Sequence, residues 1–219
     1  MMQARIMTVL GMLVVLCAGV SFSYATGSGT LDHGSNWYPS GTNLTIKALP
    51  ETYSKLDRWE GDTAGIVVSG ETINCTVDGS KTLTAVFVDQ VTATNAIPHR
   101  WIADVNPDWT NDFEAAVTND WDNDGFTTAE EFLAGTCPTN QNSFLHIASA
   151  QIVGNQLQLD WEHAQVYSGI PPLAIQKRTS LTDGNWENVG QRSPTNGINT
   201  WAGSIDPQAF YRLAVTNAP

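Results

Sequence analysis

The chain has 219 residues, 42% of them hydrophobic, so it can bury a sizeable core or several small ones. Ten Lys and Arg stand against 22 Asp and Glu, giving a formal net charge of −12 and a pI of about 4.4. With the basic residues scattered along the chain, nothing can neutralise phosphates, which excludes nucleic-acid binding and argues against an anionic membrane surface. An acidic balance of this kind suits a soluble secreted protein and divalent cations.

Residues 1–25 read as a signal peptide. Arg5 provides a short positive region, Ile6 to Val20 an apolar run, and Ser23-Tyr24-Ala25 a small-residue end that predicts cleavage after Ala25. The run is too short to favour a membrane span, so no membrane insertion is expected after cleavage. A lipoprotein reading of Cys17 is disfavoured by the large Leu16 before it. The expected location is secreted or cell-surface. Export permits a disulfide between Cys75 and Cys137, but the spacing does not decide it.

Residues 26–90 predict an all-β module. Asn43–Ala48 alternates as NLTIKA, Ile66–Val68 is a short apolar run, and Leu83–Val88 reads LTAVFV. Turns are signalled by Pro39-Ser40-Gly41, Gly61-Asp62 and Asp78-Gly79-Ser80.

Residues 91–143 change character and predict a short helical segment. Thr110 is placed to cap a helix running to about Val117, with Asp112 and Glu114 in its first turn. Thr127 or Thr128 can cap a second helix, each with a glutamate three residues on, and Gly135 and Pro138 end it. Residues 144–219 are again β-like. The strand candidates are Phe144–Ile152, Gln156–Glu162, Leu173–Lys177, Trp186–Val189, Thr200–Gly203 and Ala209–Val215. Turn signals at this spacing suggest a sandwich. Leu157, Leu159 and Trp161 fall on one side of their strand and Gln156, Gln158 and Asp160 on the other, which predicts one buried and one wet face. The predicted architecture is therefore mainly β, with two small β modules joined by a helical segment.

The helical segment carries the chemistry. Asp120 to Glu131, DWDNDGFTTAEE, meets the pattern D-x-[DN]-x-[DN]-G-x5-E in full. Calcium takes six to eight oxygens at roughly 2.3–2.6 Å with little angular demand. Asp120, Asp122 and Asp124 alternate, so a tightly winding loop can turn all three inward. Gly125 stands where the chain must bend sharply. The carbonyl of Phe126 supplies a backbone ligand, Thr128 stands where a water often intervenes, and Glu131 can reach back with both oxygens. The bland alternative is an acidic helix start. It does not explain the glycine and the final glutamate together, nor the repulsion among three converging aspartates. The expected cofactor is one Ca2+, at an affinity on the order of 10⁻⁴–10⁻³ M for a lone extracellular site. Asp104-x-Asn106-x-Asp108 repeats the alternation, but no glycine follows and Ala115 stands where a glutamate is needed.

Three resemblances follow from these residues. Tyr38-Pro-Ser-Gly-Thr42, Leu44-Thr-Ile-Lys-Ala-Leu-Pro50, Asp57-Arg-Trp-Glu-Gly-Asp62 and Thr82-Leu-Thr-Ala-Val-Phe87 resemble the bacterial repeat related to the internalin B-repeat. That implies a small β-grasp-like or sandwich-like extracellular module without catalytic residues. The segment from Ile97-Pro98 through Asp122-Asn-Asp-Gly to Asn140 resembles the thrombospondin type-3-like, dockerin-like calcium segment of exported bacterial proteins, with Cys137 where that pattern has Asp. Phe210-Tyr-Arg-Leu213, with Leu181-Thr-Asp-Gly-Asn-Trp186 upstream, resembles a fibronectin type III-like tail.

No enzyme is expected. His33, His99, His146 and His163 lie far apart and form no metal-ligand spacing, and there is no G-x-S-x-G and no phosphate loop. The functional expectation is a non-catalytic, secreted or surface-attached modular protein in which one structural calcium rigidifies the junction between β modules. Its role would be adhesion or extracellular assembly with an unidentified protein or glycan. The alternative is a carbohydrate-binding accessory module of a polysaccharide-degrading system, in which some of the eight tryptophans, Trp161, Trp186 and Trp201 among them, would stack on sugars.

Overall fold

The computed structural model describes residues 17–25, 28–164, 166, 170–182, 184–206 and 208–215, the first of these stretches by its backbone alone. The chain is mainly β, and it divides into two compact units, one of residues 1–91 with 98–100 and one of residues 92–97 with 101–219.

The first unit holds strands β1 (Cys17–Ala25), β2 (Gly29–Leu31), β3 (Asn36–Pro39), β4 (Asn43–Pro50), β5 (Ser54–Gly61), β6 (Val67–Ser69), β7 (Thr72–Thr76) and β8 (Lys81–Asp89). They form two four-stranded sheets, ordered β3-β1-β8-β5 and β2-β4-β7-β6. The alternation of NLTIKA is realised in β4, where Leu44, Ile46 and Ala48 are buried between exposed neighbours. Leu44 and Ile46 pack with Ile73, Cys75 and Leu83, and Ala48 packs with Ala85 and Phe87. Gly61 ends β5 at φ +96°, and a Cβ there would lie 2.2 Å from the Thr82 carbonyl oxygen, so both backbone and packing require glycine. Cys75 is a buried free thiol, and burial raises its pKa.

The expected signal peptide falls partly outside the described residues, at 1–16. The rest of it, Cys17–Ala25, is strand β1, which runs antiparallel to β3 and parallel to β8, pairing Val20–Ala25 with Lys81–Val86. The expected cleavage point therefore follows a strand that lies between two others in its sheet.

The second unit contains α1 (His99–Val105, from Trp101 onward), a 3₁₀ helix (Pro107–Asn111), α2 (Phe113–Thr118) and α3 (Thr128–Ala134). Their shared core is Ile97, Trp101, Ile102, Trp109, Ala116, Val117, Ala129 and Phe132. The helix expected from a Thr110 cap starts two residues later, capped by Asp112. Thr110 Oγ1 donates to the Pro107 carbonyl within the 3₁₀ turn, while the Asp112 carboxylate accepts from Ala115 N and caps α2. Of the two candidate caps for α3, Thr127 is used, with Glu130 closing a reciprocal capping box.

The same unit continues with β9 (Ser149–Val153), β10 (Gln156–His163), β11 (Leu173–Arg178), β12 (Glu187–Arg192), β13 (Gly197–Ser204) and β14 (Phe210–Val215). They form two three-stranded antiparallel sheets, β13-β10-β9 and β12-β11-β14. Leu159, Trp161, Leu173, Ile175 and Trp201 make the core of this part. The predicted wet and buried faces of β10 are observed. Trp161 and Trp201 are thus core residues, and neither offers a ring to a sugar.

Candidate metal centre

The loop between α2 and α3 winds tightly enough to point its alternate aspartates inward. Asp120 accepts from the backbone of Asn123 at 2.8 Å and of Gly125 at 2.9 Å. Asp122 accepts from Asp124 N, and Asp124 accepts from Phe126 N. Asn123 adopts φ +63° and Gly125 φ +97°, and these two left-handed residues supply the curvature. The Asn119 carbonyl accepts from both the amide and the hydroxyl of Thr128, closing the loop at its base. Trp121, on the outside, donates its Nε1–H to the Ala116 carbonyl and stacks on Trp109 with ring centroids 5.0 Å apart.

The result is a convergence of carboxylates. One oxygen from each of Asp120, Asp122 and Asp124 lies within 4.8 Å of the others, the only such group of potential metal ligands among the described residues. Glu131 lies outside that tight triangle but is 1% exposed on α3, and its charge is coupled to all three aspartates. Burial, followed by Asp122 and Asp124, raises its pKa to about 8. Glu131 Oε1 accepts from Thr136 Oγ1 at 3.3 Å.

Three buried carboxylate oxygens, Asp122 Oδ2, Asp124 Oδ2 and Glu131 Oε2, have no hydrogen-bond donor. Buried polar atoms are ordinarily partnered, and three orphans of one kind at one place are the chemical counterpart of a hard cation. Asp120, Asp122, Asp124 and Glu131 could hold one. The Phe126 side chain is exposed, leaving the carbonyl as its contribution to the expected ligand set. The Thr128 hydroxyl is buried and donates to Asn119, so its observed work is to tie the loop shut.

Two groups around the centre were not anticipated. Thr136 follows the helix end at Gly135 and has no periodic signal. His163, at the end of β10, is buried, with Nδ1 2.9 Å from the Ala134 carbonyl. Its Nε2 accepts from Trp161 Nε1 at 3.1 Å, which fixes the proton on Nδ1 and makes that nitrogen the donor to Ala134. With Ala164 N donating to the Gly135 carbonyl, the C-terminal end of α3 is tied to β10. The Asp104–Asn106–Asp108 alternation has a simpler explanation, because Asn106 Oδ1 caps the 3₁₀ helix by accepting from Asp108 N.

Residues 21–91 match the family described as the divergent InlB B-repeat domain. This is the bacterial repeat expected from Tyr38 to Phe87, and the match begins inside β1. No curated protein and no solved structure matches the chain. Among the described residues no helix is long and apolar enough to cross a membrane.

Proposed function

We propose that the chain is a non-catalytic, exported modular protein that carries one structural calcium ion in the loop from Asp120 to Glu131. The observation that carries this reading is the set of three buried, unpartnered carboxylate oxygens on Asp122, Asp124 and Glu131. A calcium ion would bond to them, cancel the repulsion among four acids, and fix α3 against the loop. Because α3 is tied through Gly135 and His163 to β10, order at the loop passes to the C-terminal sheets. The N-terminal repeat supports a surface or extracellular setting, where calcium at about millimolar levels would keep a site of this class filled. The ion would then act as a permanent staple of the segment between the β modules, in adhesion or extracellular assembly. The thrombospondin type-3-like and fibronectin type III-like resemblances are part of the same proposal.

Limited proteolysis of the full chain with calcium and with chelator tests it. Protection of residues 106–140 that depends on calcium, and is lost in Asp124→Ala, supports the proposal. An identical cleavage pattern in both buffers would overturn it.

A further inference from the structure

Past Arg100 the chain has only Lys177, Arg178, Arg192 and Arg212 as basic residues, set among acids. Scattered in sequence, they all fall in one sheet: Lys177 and Arg178 in β11, Arg192 in β12 and Arg212 in β14. The two-residue period of β11 divides them between faces. Ile175 and Lys177 lie across from Leu213 and Tyr211 on the core side, and Lys177 pairs with Asp206. Gln176 and Arg178 face outward, opposite Arg212 and Phe210.

We propose that this outer face binds a carboxylate-bearing polysaccharide, a glycan of uronic acids, through Arg178 and Arg212. Both guanidinium groups lie over the Trp186 ring, at 4.7 and 4.3 Å from its centroid. The electron-rich ring holds two like charges close together without neutralising either. Among the described residues no carboxylate pairs with Arg178 or Arg212. Among the described residues Arg178 is bound through Nη2, to the Leu181 carbonyl, and its Nε has no partner. Arg212 is held through Nε by Gln176 Oε1, whose amide nitrogen donates to Asn188 Oδ1. An arginine steadied this way presents its outer N–H groups as a planar fork, the geometry that fits a carboxylate.

The neighbours favour a sugar over an acidic peptide. Asn188 is exposed, and its amide next to that of Gln176 offers neutral donors and acceptors suited to hydroxyl groups. Phe210 is exposed across from Arg178 and offers an apolar face to the C–H side of a pyranose ring. In an otherwise acidic unit, a patch of arginines that no described carboxylate pairs with is complementary to a carboxylated polymer, and its affinity should fall with salt.

The test titrates the full chain, at fixed calcium, with a galacturonic acid hexamer and with the same hexamer methyl-esterified, using isothermal calorimetry. The acid form should bind and the ester should not. Arg212→Gln and Arg178→Gln should each weaken binding by about tenfold or more. Arg58→Gln, in the first unit, should leave the affinity unchanged. Arg212 is exposed, so that variant decides the question should Arg178→Gln fail to fold. Equal binding of the ester, or unchanged affinity in Arg212→Gln, would overturn the proposal. So would equal, arginine-dependent binding of poly-glutamate, which would point to an acidic protein, or of dextran sulfate, which would point to a sulfated polymer.

Discussion

Glu131 and Asp122 each bury a carboxylate oxygen that no donor reaches, and the charge on Asp122 helps hold a proton on Glu131. With its pKa raised from 4.5 to about 8 by burial and by the aspartates, Glu131 binds a proton more tightly folded than unfolded. In chelator, that contribution to stability is fully present below pH 4.5 and is lost as the pH rises through about 8. The span corresponds to a contribution on the order of 3–5 kcal/mol. Calcium competes with the proton and should flatten that slope above pH 6. Urea midpoints in chelator and in calcium are expected to converge toward pH 5 and to separate toward pH 9, with calcium the higher.

Glu131→Gln separates the two roles of this side chain. It removes a buried charge that costs stability when no cation is present, and it removes a ligand. The variant should be at least as stable as the parent in chelator at pH 9, yet show little stabilisation by calcium. Thermal unfolding followed by circular dichroism reads both effects. A variant weaker than the parent in chelator would mean that Glu131 serves mainly through its Thr136 contact.

His163 gives a second, opposite pH dependence. Burial lowers its pKa, against the smaller effect of the Ala134 carbonyl. A second proton would also set an Nε2–H against the Trp161 Nε1–H. The neutral ring therefore contributes stability that is present above pH 6.5 and is lost as the pH falls through the lowered folded value. His163→Leu leaves the Ala134 carbonyl and the Trp161 indole without partners, and should cost about 2–4 kcal/mol at pH 8. It should also flatten the acid slope, so parent and variant midpoints converge toward pH 5.

Much of this arrangement was legible in the sequence, for identifiable reasons. The convergence of Asp120, Asp122 and Asp124 could be read because the three alternate at fixed spacing and Gly125 permits the bend. The alternations of Asn43–Ala48 and Gln156–Trp161 could be read because each strand has one wet face. The start of α2 was misplaced because both Thr110 and Asp112 can cap, and only the 3₁₀ turn that occupies Thr110 decides between them. α1 was missed because its seven residues are too few to establish a period. The Arg178–Trp186–Arg212 cluster was invisible because strand pairing, not sequence proximity, brings Arg212 to Arg178.

The expected cleavage after Ala25 and the pairing of β1 make opposite demands. Cleavage there would remove β1 and leave β3 and β8 without the strand between them. A chain that keeps Val20–Ala25 keeps the pairing of β1 with β8, and the family match covers this stretch from residue 21. Intact mass of the protein recovered from its native host decides this. A mature N-terminus at Thr26 would show that the module completes its sheet without β1.

The most direct test of the central claim is the thermal midpoint of the full chain at pH 7.5 in 10 mM calcium and in chelator, both concentrations chosen on the order of ten times the expected dissociation constant or more. Binding of one ion under those conditions should raise the midpoint by several degrees. The shift should be absent in Asp122→Asn and Asp124→Ala. Superimposable melting curves in calcium and chelator would contradict the assignment of these carboxylates to a structural cation.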